Sequence, residues 1–284
     1  MKILVTGAGG QVGTALQARA PLHGLDIIAL DRQALDITDA SAVAAAVRDN
    51  RPDLVINAAA YTAVDKAEAE TEKAFAINAD GAEYLAQAAK AAAIPLLHIS
   101  TDFVFDGRKS GAYVETDAIA PLNVYGASKA AGEARIAAVL EKHIILRTAW
   151  VFGGVQNFVN TMLRLGETHK ELNIVDDQRG GPTASRDIAD TLLRIAKQVQ
   201  APGFDDFGLY HYCGAPAVTW YGFAEAIFRG RETPKLTPIP TEGYPVPATR
   251  PKNSVLDCSR IKRVFDIDQP DWRAALSEIL AQRK

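Results

Sequence analysis

VTGAGGQVG, residues 5–13, decides how the fold is read. It continues the apolar run KILVTG (2–7) and leads into a helical pattern, so a glycine-rich turn joins a first strand to a first helix. Gly7, Gly10 and Gly13 are spaced G-x-x-G-x-x-G; the commoner G-x-G-x-x-G would need a small residue at position 12, where Val12 stands. Glycines here permit a tight turn and bring backbone close to a pyrophosphate, and the helix N-terminus adds amide donors and a positive dipole end. Alone, such a turn can be an ordinary connector. At the first strand–helix junction it points to dinucleotide binding.

Outward from this loop, DIIALD (26–31), DLVINAAA (53–60), PLLHIST (95–101) and HIILRTAWVFG (143–153) are continuous apolar runs without period-two alternation. They predict strands covered on both faces. Helical patterns at 11–20, 40–50, 71–93 and 125–141 separate them. Repeated strand–helix–strand units with right-handed crossovers give an α/β fold, a doubly wound parallel sheet of Rossmann type. Past Gly153 the rhythm changes. Helices are expected at 157–168 and 188–199, with NIVDDQRGGPTASRD (173–187) as strand then turn. Prolines at 234, 238, 240, 245, 247 and 251 make 233–253 extended irregular chain, either a surface connector or a wall of a substrate pocket. The expected division is a dinucleotide-binding domain over 1–152, to which the chain returns near 184–208 and 251–258. Residues 153–284 then form mainly a smaller substrate-binding lobe.

The 284 residues carry a formal charge of −3 with no block of like charge, which argues against nucleic acid and anionic membrane as partners. No stretch approaches the ~20 apolar residues of a membrane span. MKILVTGAGG lacks the long apolar core of a signal peptide. Cys213 and Cys258 have neither framework nor metal spacing; they read as buried, inert thiols of a reducing cytoplasm, and no metal-ligand set is expected.

Asp31 closes the second strand, where a carboxylate accepts from adenosine ribose hydroxyls, favouring NAD. Arg32 beside it suits the extra phosphate of NADP, so NADH and NADPH both stay open. Asp36 and Ile37 lie where the chain passes an adenine, and Ala60, Tyr61 and Thr62 in NAAAYTAVDKAE (57–68) form a second candidate wall. HISTDFVF (98–105) ends the fourth strand with Ser100, Thr101 and Asp102, at the strand ends where open α/β sheets bind ligands. In NVYGASKAAGE (123–133), Tyr125 and Lys129 are four residues apart and share a helix face. A phenol ordinarily titrates near pH ~10, and a close ammonium is expected to lower that value and make a usable general acid or base.

Together these motifs resemble the extended short-chain dehydrogenase/reductases and, more narrowly, the dTDP-4-dehydrorhamnose reductases. GQVG (10–13), STDFVFDG (100–107), APLNVYGASKAAGE (120–133), RTAWVFG (147–153), GGPT (180–183) and RPKNSVL (250–256) carry the resemblance over nearly the whole chain. It implies NAD(P)H-dependent reduction of a nucleotide-sugar 4-keto group in dTDP-rhamnose biosynthesis. Gly10, Gln11, Val12, Asp31, Asp36, Ile37, Ala60, Tyr61 and Thr62 would contact the dinucleotide, and Lys129 its ribose. Tyr125 would donate the proton, tuned by Thr101. Thr101 and Asp102 would hold the sugar and Trp150 its ring, with Asn157 and Arg250 as candidates for the nucleotide. Where known members place a glutamate on the first helix, in a magnesium-bridged dimer contact, this chain has Ala15, which puts bound Mg2+ and that homodimer in question. Sister enzymes that dehydrate or epimerise, and a non-catalytic regulatory subunit, are the alternatives. Phe103 replaces the second acid that dehydration uses, and the retained Tyr125 and Lys129 disfavour the subunit.

Overall fold

A computed structural model describes residues 1–232 and 234–282. The first half alternates as the apolar runs require: β1 (Lys2–Thr6), α1 (Gln11–Arg19), β2 (Asp26–Leu30), α2 (Ala40–Asn50), β3 (Leu54–Asn57), α3 (Val64–Ala67), α4 (Thr71–Phe75), α5 (Gly81–Ala91), β4 (Leu96–Thr101), α6 (Val124–Val139) and β5 (His143–Thr148). The second half holds β6 (Val151–Phe152), α7 (Phe158–Thr168), β7 (Glu171–Val175), β8 (Arg179–Gly180), β9 (Thr183–Ala184), α8 (Ser185–Gln198) and β10 (Gly208–His211). β11 (Val218–Thr219), α9 (Trp220–Ile227), β12 (Lys235–Ile239), α10 (Ser259–Phe265) and α11 (Trp272–Ala281) follow.

Six strands form one parallel sheet in the order β10-β5-β4-β3-β1-β2. Successive residues of a strand face opposite sides, which is why both sides are apolar. Ile3 and Val5 join the core beneath α1 and α8, and Leu4 joins the one beneath α2, α5 and α6. β1 lies between β2 and β3, so the strand order reverses there and opens a crevice at the strand ends. A third core, built on Phe152, Phe223, Phe228 and Trp272, holds the second lobe.

Three expectations are corrected. The run 143–153 is not one strand: Trp150 has φ +47°, which ends β5 at Thr148 and turns the chain out of the large sheet into the second lobe. A left-handed non-glycine residue costs about 1–3 kcal/mol, so packing must hold it. The Trp150 ring does lie flat on Trp220, centroids 3.5 Å apart. The helix expected over 71–93 is interrupted by a π-helical turn at Ala76–Asp80, a local widening that periodicity does not foretell. In the proline-rich segment, Lys235–Ile239 pairs in parallel with β7, Pro238 opposite Ile174. A two-stranded sheet leaves both strands an open edge, where a missing amide is tolerated. Thr233, where that segment begins, lies outside the described residues.

Candidate active site

Two cavities open on the described surface. The first, about 510 Å³, opens at the switch point and is lined by Gly7, Gly10, Asp31, Arg32, Asp36, Ile37, Ala60, Tyr61 and Thr62 among others. Gly10 caps α1 without any side-chain hydrogen bond to its first turn, so those amides stay available to an anion. The backbone is packed too tightly for side chains here: a Cβ on Gly13 would lie 2.2 Å from the Gly7 carbonyl oxygen. Volume, uncapped helix and Cβ-free cradle fit a dinucleotide. Gln11, Val12 and Gly13 do not line the cavity. Val12 is in the core, and the Gln11 Oε1 accepts from the Gly154 amide at 3.0 Å, tying the loop to the second lobe. The Asp31 Oδ1 accepts from the Gln33 and Ala34 amides, both at 2.9 Å. Asp36 accepts from the Thr38 backbone and hydroxyl, which hold its carboxyl below the usual range.

The second cavity, about 290 Å³, is mainly apolar; Phe103, Trp150, Trp220, Tyr244, Arg250 and Ser254 lie in its wall. The proline-rich segment therefore forms part of a pocket, through Tyr244, Val246, Arg250 and Pro251. Arg250 is already engaged, with two hydrogen bonds to the Asp65 carboxylate at 2.9 and 2.8 Å. Asn157 does not line this wall. Its Oδ1 caps α7 through the Asn160 amide at 3.1 Å and its Nδ2 donates to the Gly154 carbonyl at 2.6 Å.

Tyr125, Lys129, Thr101 and Asp102 line neither cavity; Thr101 ends β4 with Asp102 next to it, and Tyr125 and Lys129 lie on α6. Asn123 starts α6 by accepting from the Gly126 amide at 2.8 Å, and its Nδ2 donates to the Thr249 carbonyl, also at 2.8 Å. Tyr125 is half-buried and edge-on to Phe103 of the apolar cavity. Burial pushes its phenol up to about 12, against the Thr101 hydroxyl and with the Asp102 charge adding to the rise. That reverses the expected lowering by Lys129. The Lys129 Nζ is turned to the Ile99 carbonyl at 2.7 Å and the His98 Nε2 at 3.0 Å, where it does not offset the burial of the phenol. Lys129 itself is 1% exposed, and burial lowers it to about 8.

Asp102 is 2% exposed; its Oδ1 accepts from the Thr101 hydroxyl at 3.0 Å while Oδ2 has no partner. Burial pushes this carboxyl up to about 6, the Ser254 and Thr101 hydroxyls acting against it. Below these groups, Ser100 donates to the Glu133 Oε1 at 2.5 Å, and Arg147 holds both Glu133 oxygens at 2.9 and 2.6 Å. Arg147 also lies 5.0 Å over the Phe105 ring. Among the described residues no group of three His, Cys, Asp or Glu side chains could hold a metal ion, and Ala15 packs against the core under α1.

A family model described as the RmlD substrate binding domain matches residues 1–284. The dTDP-4-dehydrorhamnose reductase of Aggregatibacter actinomycetemcomitans is 46% identical over 289 residues, 99% of this chain and 98% of that one. The chain belongs to the dTDP-4-dehydrorhamnose reductase family. Among solved structures, the family member from Clostridium acetobutylicum superposes with a TM-score of 0.94 at 40% identity, covering 100% of this chain and 99% of that chain. The Bacillus anthracis reductase in complex with NADP gives 0.92 at 35% identity, covering 99% of each.

Within this reductase, sequence reasoning missed Asn78, His98, Glu133 and Arg147. Asn78 is turned by the π-helical segment so that its side chain clamps the Tyr61 amide (2.8 Å) and carbonyl (3.1 Å) and reaches the Ser128 hydroxyl at 2.9 Å. Only Glu133 in KAAGEARIAA, a carboxylate set among small residues, could have signalled the second pair. The raised Asp102 carboxyl yields a stability prediction. A carboxyl raised above its ordinary value favours the fold below about pH 4 and loses that contribution as pH rises through about 6. Asp102→Asn is therefore expected to stabilise the reductase at neutral pH by up to ~3 kcal/mol, the gain vanishing near pH ~4. Denaturant midpoints across that range check it; a gain independent of pH would contradict the burial argument.

Proposed function

We propose that this chain reduces dTDP-4-dehydro-L-rhamnose to dTDP-L-rhamnose with NADPH. The observation that carries the reading is that α6 is linked to a wall of each cavity, directly at one and through Asn78 at the other. Tyr125 meets Phe103 of the apolar cavity, and Ser128 bonds Asn78, which clamps Tyr61 in the dinucleotide cavity. A bound reduced nicotinamide supplies the hydride to C4 of the sugar. Tyr125, fully protonated at neutral pH with its phenol at about 12, donates the proton to the C4 oxygen, and Thr101 orients its hydroxyl. The unpartnered Asp102 Oδ2 takes a sugar hydroxyl, and the Trp150 face carries the ring. Gly7, Gly10 and the α1 amides receive the pyrophosphate, Asp31 the adenosine ribose and Lys129 the nicotinamide ribose. Arg32, on the same cavity wall, matches the 2′-phosphate of NADPH. Arg250 reaches the dTDP diphosphate by exchanging Asp65 for it. Asn157 keeps its capping role.

Every group named comes from one chain, so the reading needs no second copy. We place the protein in the cytoplasm on the strength of Cys213 and Cys258, both free and buried. Among the described residues no helix is long and apolar enough to cross a membrane. The test is to generate the 4-keto sugar nucleotide in situ and follow the loss of reduced-nicotinamide absorbance. Oxidation of the cofactor that depends on the keto sugar is expected; none at all would sink the reading.

A further inference from the structure

The proton count around Lys129 does not balance for a charged lysine. The Asn57 Oδ1 accepts from the Ala59 backbone amide at 3.0 Å and from the Thr6 hydroxyl at 2.7 Å. A backbone amide can only donate, so the orientation of the Asn57 carboxamide is fixed. Its Nδ2 then donates to the His98 Nδ1 at 2.9 Å, and Nδ1 must carry a lone pair. His98 is 0% exposed, and burial acts, without any charge on Lys129, to hold it well below the ordinary imidazole range, so the ring is neutral. A neutral ring with a bare Nδ1 carries its proton on Nε2. That N–H faces the Lys129 Nζ at 3.0 Å. An ammonium would oppose donor to donor there. An amine accepts from Nε2 with its lone pair and still donates to the Ile99 carbonyl at 2.7 Å.

We propose that His98 is a positioning residue for Lys129: locked by Asn57, it presents an N–H to Nζ and so favours the amine over the ammonium at that site. The other charged group facing Lys129 is Glu133, one turn further along α6, which favours the ammonium; its carboxylate is taken up by Arg147 and Ser100. Burial alone would also discharge a lysine, but it would do so whatever atom faced Nζ; the fixed N–H adds a directional component. The site so acquires an ionisation within the range where the protein works. Resting on the reading that Lys129 holds the nicotinamide ribose as a cation, cofactor affinity should fall on the alkaline side at a lower pH than an ordinary lysine would dictate.

The experiment follows the 13Cε resonance of Lys129 with pH in the cofactor-free protein, the signal being assigned by its loss in Lys129→Met. In His98→Gln the new carboxamide can turn its oxygen to Nζ. In Asn57→Asp the carboxylate keeps Thr6 and Ala59 and takes the Nδ1–H of His98, leaving Nε2 to accept from an ammonium. Both variants are expected to raise the Lys129 midpoint by about one pH unit or more. The alkaline fall in NADPH affinity should move with it. A purely structural role for His98 would lower stability in His98→Gln without moving either; in Asn57→Asp the added carboxylate raises Lys129 by its charge alone, so that variant counts for the proposal only beside a shift in His98→Gln. The proposal is overturned if His98→Gln titrates as wild type. If His98→Gln does not fold, a wild-type midpoint in the ordinary lysine range, near pH ~10.4, overturns it alone. The measurement uses no cofactor or sugar, so an inactive enzyme would count against the reductase reading and leave this result standing.

Discussion

Tyr125→Phe is expected to lower kcat by about 10²–10⁴-fold, the usual contribution of a positioned general acid, with little change in NADPH affinity. The ring stays edge-on to Phe103 and only the hydroxyl is lost, so the variant should fold as the parent does. The direction of the phenol shift sharpens the expectation. A phenol at about 12 is in its acid form throughout the physiological range, so reduction should show no alkaline loss traceable to Tyr125. Oxidation of the product alcohol needs the phenolate, and its rate should climb about tenfold per pH unit until cofactor binding lowers the group. Pre-steady-state turnover in both directions measures this. A flat oxidative profile would show that the bound nicotinamide and Lys129 already bring the phenol into the neutral range; an undiminished rate in the Phe variant would remove Tyr125 as the acid.

The second large effect is on stability. Arg147 and Glu133 are 3% and 7% exposed, and the pair is closed by Ser100 and the face of Phe105. Arg147→Met leaves a carboxylate buried without its cation and is expected to cost about 3–5 kcal/mol. Adding Glu133→Gln removes the stranded charge, and the double variant should recover most of that loss. Chemical denaturation of the wild type, the single and the double variant tests this. A single variant within about 1 kcal/mol of wild type would mean that water reaches Glu133 and that the pair is not sealed beneath the site.

Arg147 and Glu133 also show where sequence reading stopped. Each stands in a motif that was read for other reasons, RTAWVFG for a strand end and KAAGE for a helix beside Tyr125. Neither motif says that the two side chains meet. The same holds for Arg250, which as a sequence feature is a free cation for a diphosphate and in the fold is bound to Asp65, 185 residues away. Asn157, taken from the sequence as a nucleotide contact, proves to be a helix cap, a relation between neighbours three residues apart that the sequence does display.

By itself the sequence determined the strands and their parallel sense, the glycine loop at the first crossover and the Tyr125–Lys129 face, since each follows from local spacing or from the alternation of strand and helix along one chain. The tertiary structure decided the rest: the turn at Trp150 that makes the second lobe, the π-helical segment that aims Asn78 at Tyr61, and the direction in which Lys129 points. The turn is held by ring packing on Trp220, and the other two are set by which buried donor meets which acceptor across 17 to 41 residues, as in Tyr61–Asn78 and Asn57–His98. A buried polar group must find a partner wherever the fold supplies one, and no local pattern names that partner in advance.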